Sequence, residues 1–368
     1  MIKIERWDIH RIIHSGDFKT IKECLEDGIE KGICFNYANL YGENLDGAKL
    51  DGANLFDAIL DGANLNNASL NRARLDQANL ERASLNNASL NYASLNQARF
   101  DGASLDGASL DNANLDNASL NNASLERAIL NRAILNDAIL FGANLKGASF
   151  DGASLNQANL NRARLNGATL YGATLYRAIL DGANLNNASL YRAILDGASL
   201  DGANLDNANL NQASLDGASL YGASLYQANL NRASLDRANL NRARLDQASL
   251  DRAILDGASL DNANLFDANL YRASLDGVKL DGANLNQARL RNATGANDRI
   301  SCLQKGYYSL VVVDDICFGG CTKKTIVEWL EYEGNELCSS DRIYLDTITK
   351  PFLKMILKNR EESEARSN

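Results

Sequence analysis

From Leu40 to Leu290, every position divisible by five is Leu, with Phe100 and Phe150 the only substitutes, giving about 51 consecutive units. Two residues before each stands Ala, and only Glu43 and Val278 depart from it. A helix cannot use this spacing, because five residues at about 100° each advance Leu by roughly 140° per unit and spread it around the cylinder. A flat strand fails too, since an odd period under two-residue alternation sends successive leucines to opposite faces. The remaining solution turns a corner once per unit. Ala and Leu, at alternate positions of a short side, then both point inward, while the residue between them and two corner residues face water. Only a small side chain fits beside Leu in so narrow a tube, hence the constant Ala. Corner pairs such as Asp-Gly, Asn-Gly and Asp-Asn supply turn chemistry: Gly accepts positive φ, and Asx side chains bond nearby backbone.

Both flanks break the period and read as caps for a solenoid whose ends expose unpaired backbone. Residues 1–5 alternate like a strand, and residues 20–31 predict a helix with Ile21, Leu25 and Ile29 on one face and a Thr20/Glu23 capping box. After the array, residues 307–313 read as a buried strand with a hairpin partner at 316–318. Thr322 is expected to cap a helix through about Glu333, and a second helical region starts at Ser340 or Asp341, is interrupted by Pro351 and ends near Asn359. The chain thus divides into an N-terminal capping segment (1–35), the repeat body (36–292), an α+β C-terminal cap (293–360) and a disordered tail (361–368).

Units such as Ala38-Asn39-Leu40-Tyr41-Gly42 and Ala48-Lys49-Leu50-Asp51-Gly52 resemble those of the pentapeptide-repeat family, Ala-(Asp/Asn)-Leu-X-X. The resemblance covers about 255 of the 368 residues. It implies an all-β solenoid, a right-handed quadrilateral β-helix with four units per coil. On that fold the array makes about 13 coils and, at about 4.8 Å per rung, a rod near 60 Å long. Some members that confer topoisomerase protection resemble acidic, DNA-shaped dimers that occupy the enzyme's DNA groove. The C-terminal flank resembles the small strand-and-helix domains found after some arrays and brings no function with it.

The charge balance, 37 Lys+Arg against 46 Asp+Glu for a net of −9, argues against a broad basic surface for nucleic acid or anionic lipid. Direct nucleic-acid binding is not expected. B-DNA carries about one charge per 1.7 Å, or roughly 35 over 60 Å, whereas residues 36–290 hold 27 acids and 20 bases, a net of −7. No apolar run approaches the roughly 18 to 20 residues needed to span a bilayer, and the first residues are charged without a signal-peptide core. Triplets such as Asn67-Ala68-Ser69 would be glycosylated on a eukaryotic secretory route. A cytoplasmic location without a membrane partner is expected.

On a four-sided coil, side chains 20 residues apart stack. Asp196, Asp216, Asp236, Asp256 and Asp276 then form an acidic file with rungs about 4.8 Å apart, a costly line unless a cation or basic partner relieves it. Arg192, Arg232, Arg252 and Arg272, interrupted by Gln212, form a file at the preceding corner. Four residues, roughly 13 Å, separate the files, beyond the Debye length of about 8 to 10 Å, so they compensate each other only partly. These nine residues are the candidate binding surface, with a plain solvated face as the competing reading. Thr stands mid-side within the array only at Thr169 and Thr174, too few for the flat Thr lattice of an ice-binding solenoid.

Cys302, Cys317, Cys321 and Cys338 offer four thiolates for a zinc site, but the second Cys-x-x-Cys pair is missing, and reduced, partly buried thiols are the competing reading. His10 and His14 are spaced to share a helical face, without the His-Glu-x-x-His pattern of a zinc protease. Residues 319–325 resemble a phosphate loop but lack its spacing. With no Ser-His-Asp set and no dinucleotide fingerprint, neither enzyme activity nor a cofactor is expected. The sequence points to a non-enzymatic rod that binds or spaces proteins. DNA mimicry and a zinc-dependent C-terminal interaction module are the alternatives, and the partner and the choice between monomer and homodimer stay open.

Overall fold

The computed structural model of the protein describes residues 1–290, 292–294, 300–305, 308–313, 316–319, 322–325 and Leu353. Parallel bridges join the middle residue of each short side to the residue twenty positions on, from Asn39↔Ile59 through Ser274↔Thr294. Four units therefore close one coil. We number the sides by their middle residues: first (39, 59, 79 and onward), second (44, 64), third (49, 69) and fourth (54, 74). From Leu40 to Leu270 the stacked Leu and Phe side chains are at most 1% exposed, and exposure rises to 8% at Leu280, near the C-terminal end of the array.

The unit around Leu60 shows where the backbone hydrogen bonds go. Leu60 N–H donates to Asn79 C=O on the next coil (2.7 Å), Asn79 N–H returns to Ala58 C=O (2.9 Å), and Gly62 N–H reaches Glu81 C=O (2.8 Å). The fourth bond closes the corner within the unit, Ala63 N–H to Leu60 C=O at 3.0 Å. Only the second corner residue has positive φ, the mark of a type II turn. The sequence reading credited Gly and Asx with this conformation, and that is too narrow: Tyr92 (61°), Arg192 (58°) and Gln212 (59°) adopt it as well. A left-handed L-residue costs about 1–2 kcal/mol. Here its N–H is held by the next coil, as in Arg192 N–H to Asn211 C=O at 3.1 Å.

At the N-terminus, β1 (Ile2–Glu5) and β2 (Ile12–Gly16) pair antiparallel with an irregularity at Ile4/Glu5. Helix α1 (Ile21–Glu30) starts at Thr20, whose Oγ1 accepts Glu23 N–H at 3.1 Å. The return bond of the expected capping box is shifted by one residue, Lys19 N–H donating to Glu23 Oε2 at 2.8 Å. Ile4, Cys24, Leu25 and Phe35 are buried in continuity with the coil interior. The segment also seals the first coil's edge: Asn39 N–H donates to Glu5 C=O and Trp7 N–H to Tyr37 C=O, both at 2.8 Å.

The expected helical face for His10 and His14 is corrected. His14 lies on β2, paired opposite Ile4, and His10 has a left-handed φ of 54°, so no helix joins them. His14 Nε2 lies 2.6 Å from Asp27 Oδ2, which also accepts Lys31 Nζ at 2.7 Å. Lys31 first, and His14 second, hold the Asp27 carboxyl below its ordinary range.

Beyond the array an antiparallel meander runs β3 (Ile300–Lys305), β4 (Tyr308–Val313), β5 (Ile316–Gly319) and β6 (Thr322–Thr325). Strands β4 and β5 stand where the sequence places them, while β3 was not anticipated. β6 corrects the start of the expected helix. Thr322 pairs with Gly319 and Thr325 with Ile316, and β-branched Thr at both ends suits a strand that continues the sheet. The rest of that helix, the helical region at 340–359 and the 361–368 tail lie outside the described residues, apart from Leu353.

Candidate interaction surface

Three of the five N–H groups in each unit join neighbouring coils and one closes the corner, which leaves the N–H of the first corner residue. Its acceptor is set by the middle residue of the side just before it. Where that residue is Asn, the unit caps itself, as in Asn231 N–H to Asn229 Oδ1 at 3.1 Å, with Asn144, whose Oδ1 is buried without a hydrogen-bond partner, an exception. Where it is Ser, Thr or Ile and an Asp or Asn stands one coil earlier, the Oδ1 of that Asp or Asn accepts instead at most rungs. Asp51 Oδ1, for example, takes Asn71 N–H (2.8 Å) and Ser69 Oγ–H (2.6 Å). Asn211 Oδ1 and Asp251 Oδ1, both buried without a hydrogen-bond partner, precede coils whose sides carry self-capping Asn229 and Asn269. Corner Asp and Asn are therefore parts of the fold as well as of its surface.

Three rungs of the acidic file, those at the Asp216, Asp236 and Asp276 amides, follow the same rule. Asp196 Oδ1 accepts Ser214 Oγ–H at 2.6 Å and Asp216 N–H at 3.1 Å, and Asp216 Oδ1 accepts Ser234 Oγ–H at 2.5 Å and Asp236 N–H at 3.0 Å. Asp276 N–H donates to Asp256 Oδ1 at 3.1 Å. The file's expected need for an outside cation is thus corrected at these rungs: amide and hydroxyl donors of the same chain relieve the like charge. Along the basic file, Arg192 Nε–H donates to Gln212 Oε1 at 3.0 Å, and Arg252 Nε lies 4.0 Å from Asp251 Oδ1. Arg192 and Arg272 lie over the rings of Tyr191 (5.1 Å) and Tyr271 (5.0 Å). Arg192, Arg232, Arg252 and Arg272 are exposed.

Both files border one face. Buried Ala193 and Leu195 alternate with Arg192, Ile194 and Asp196, so a row of the fourth side presents a base, a midline residue and an acid. The midline carries what sequence reasoning missed: Ile134, Ile194 and Ile254 are 38%, 40% and 45% exposed. Tyr176 lies on the edge of the same face, and Tyr171 and Tyr191 sit 5.6 Å apart at its other corner. The signal was present in the isoleucines that recur every 60 residues once the chain is written in rows of twenty.

Among the described residues no cluster of His, Cys, Asp and Glu could hold a metal ion. Cys302 lies on β3 and Cys317 on β5, whereas Cys321 and Cys338 lie outside the described residues. Concave places on the rod include open grooves between stacked corner residues, such as the one lined by Asp111, Asn131, Asp151 and Tyr171. No helix among the described residues is long and apolar enough to cross a membrane.

The family model described as Pentapeptide repeats (8 copies) matches overlapping segments that run from residue 33 to residue 294. No curated protein matches the sequence significantly. Among solved structures, the chain is 37% identical to HetL, a pentapeptide repeat protein involved in heterocyst differentiation regulation from the cyanobacterium Nostoc sp. strain PCC 7120; the match covers 60% of this chain and 89% of HetL with a TM-score of 0.26. A trypsin-treated form of QnrB1, a plasmid-mediated fluoroquinolone resistance protein, is 20% identical over 58% of this chain and 85% of its own, with a TM-score of 0.26. A pentapeptide repeat protein from the Arabidopsis thaliana thylakoid lumen is 23% identical over 38% of this chain and 69% of its own, with a TM-score of 0.22. The repeat register, the twenty-residue coil and the family match agree, and the chain belongs to the pentapeptide-repeat family of right-handed quadrilateral β-helices.

Proposed function

We propose that the protein is a non-enzymatic, capped rod of about 13 coils that binds or spaces protein partners in the cytoplasm. The observation that carries this reading is the fourth side. Its backbone amides are consumed between coils, while its outward rows hold charged edges around an exposed isoleucine midline. Ile139 and Ile179 on the first side and Ile129 on the third are comparably exposed, but only the fourth side repeats the base–Ile–acid row, at Arg192-Ile194-Asp196 and Arg252-Ile254-Asp256, a charged frame around apolar positions that suits a protein contact.

DNA mimicry is the weaker reading. The net charge of −7 over residues 36–290 is far below the roughly 35 charges of equally long B-DNA, and a basic file runs beside the acidic one. The test is capture from an extract of the source organism at low salt on the immobilised full chain, against a Asp216→Asn/Asp236→Asn/Asp256→Asn variant. A partner that handles no DNA, held by the native rod and weakened by the variant, supports protein binding through the fourth side, and capture indifferent to the variant moves the contact to another face or to the caps. Capture of a DNA-handling enzyme that the variant loses would replace this reading with mimicry. A rod that retains no protein under these conditions would overturn both. Zinc content near one per chain would bring forward the C-terminal module instead.

A further inference from the structure

We propose that the fourth side is the interface of a homodimer in which two rods lie side by side, pointing the same way, about a two-fold axis parallel to their length. The proposal rests on the protein-binding reading above and names the partner as a second copy of this chain.

The argument starts from the order of side chains across the face. One edge is basic and the other acidic, as in the rows Arg192-Ile194-Asp196 and Arg252-Ile254-Asp256. A two-fold axis along the rod exchanges the edges and keeps the coil, so Arg192 of each copy meets Asp196 of the other. Rows 232–236 and 272–276 pair the same way. An axis along the strands, which would make the rods antiparallel, instead sets Arg over Arg and Asp over Asp, and like charges in apposition are disfavoured. The charge pattern thus selects one isologous arrangement out of two.

Shape agrees with charge. On the proposed axis each midline residue meets its own copy, which buries exposed Ile134, Ile194 and Ile254 against themselves at intervals of three coils. In the coil between Ile134 and Ile194, the same operation sets exposed Tyr176 against Gly172, the bulkiest edge residue against the smallest. At Asp196 and Asp216 the described intramolecular bonds use Oδ1, and at Asp236 a partner's Arg would compete with Arg237, whose Nε lies 3.7 Å from Oδ2.

Arg74, on the same midline nearer the N-terminus, would meet its own charge, and the first exposed isoleucine of this midline is Ile134, so the contact is placed at residues 132–276. Those eight rungs span about 38 Å by about 13 Å, or about 500 Å² per copy before side-chain relief. The total of about 1,000 Å² stands at the lower edge of specific interfaces. A micromolar dimer that salt weakens is the expected result.

Sedimentation equilibrium of the full chain tests this. At about 50 mM salt the native protein should dimerise, with affinity falling about tenfold or more at about 500 mM. A variant with Arg192, Arg232, Arg252 and Arg272 changed to Glu should be monomeric with an unchanged far-ultraviolet circular dichroism spectrum. A second variant with Asp196, Asp236, Asp256 and Asp276 changed to Lys should also be monomeric, and mixing the two should restore a heterodimer, since every edge then meets its opposite charge. If loss of corner hydrogen bonds unfolds the Lys variant, Ile194→Asp/Ile254→Asp takes its place and should also abolish the dimer. A native protein that stays monomeric to about 0.3 mM at low salt, or a dimer that the Arg→Glu variant leaves intact, overturns the proposal. Neither result touches binding of a different protein, which the extract experiment reads separately.

Discussion

The second and fourth sides face away from each other on the same coil and present different surfaces. On the second side the midline is rich in Asn: Asn64 Nδ2–H donates to Asn44 Oδ1 at 3.2 Å, and Asn284 Nδ2–H to Asn264 Oδ1 at 2.8 Å. On the fourth, the midline holds isoleucines between a basic and an acidic edge. Inside, the two are alike. Leu195 behind the fourth side and Leu205 behind the second are both fully buried, and Ala193 and Ala203 are 0% and 1% exposed. Coil closure thus depends on the inward pair and the corner, and it leaves the middle residue of each side free to carry specificity. That freedom has one limit, because the middle residue also decides how the following corner amide is satisfied.

The strongest way to break this comparison is to cut the shared interior. Leu195→Ala and Leu205→Ala should each destabilise the rod by about 2–5 kcal/mol, and by the same amount within error in urea unfolding. A clear inequality would mean that the outward residues contribute to coil stability. Next come the corners. Asp216→Ala, which ends the fourth side, should cost about 1–3 kcal/mol by stripping partners from Ser234 and the Asp236 amide. Asp206→Ala, which ends the second, should cost as much by freeing Ser224 and the Tyr226 amide. Asn at either position should keep most of the stability, as Oδ1 is retained, and an Asn variant as unstable as Ala would refute the ladder as described.

The smallest effect separates corners that the sequence treats alike. Arg252 (φ 58°) enters the fourth side and Asn262 (φ 59°) the second. Arg252→Gly should stabilise by up to about 1 kcal/mol, since relief of left-handed strain exceeds the added freedom of the unfolded chain. Asn262→Gly should change stability by less, because Asn already tolerates this region. Equal gains in melting experiments would show that strain at Arg252 is relieved by its setting.

Much of this was legible before any coordinates. The period of five, the inward Leu and Ala and the Thr20 cap follow from side-chain size, alternation and turn chemistry, while the stacking of residues twenty apart came from the family resemblance. The C-terminal meander was half legible. The β-branched run at 308–313 announces itself, but the Thr-Lys-Lys-Thr of β6 has no periodicity long enough to distinguish a strand from a helix start. Strand β2 was missed for a related reason: His10 and His14 fit a helical spacing, and only pairing with β1 makes residues 12–16 extended. At the surface, the nine charged residues of the two files could be placed once the resemblance supplied four units per coil. Their internal partners could not, since an acidic ladder and a hydrogen-bonded Asp ladder are written with the same letters.

The sequence by itself determined that this chain turns a corner once every five residues and which residues face out, because neither a helix nor a flat strand buries a large residue at every fifth position beside an Ala. Four units per coil, and with them the files of residues twenty apart, came from the family resemblance and are fixed by the bridges between coils. Only the tertiary structure decided where each corner amide finds its acceptor, that Arg, Gln and Tyr occupy left-handed corners alongside Gly, and that rungs of the Asp file are relieved from within. Those outcomes depend on distances between coils, set when twenty-residue turns stack and one coil's carbonyls and carboxylates come within reach of the next coil's donors.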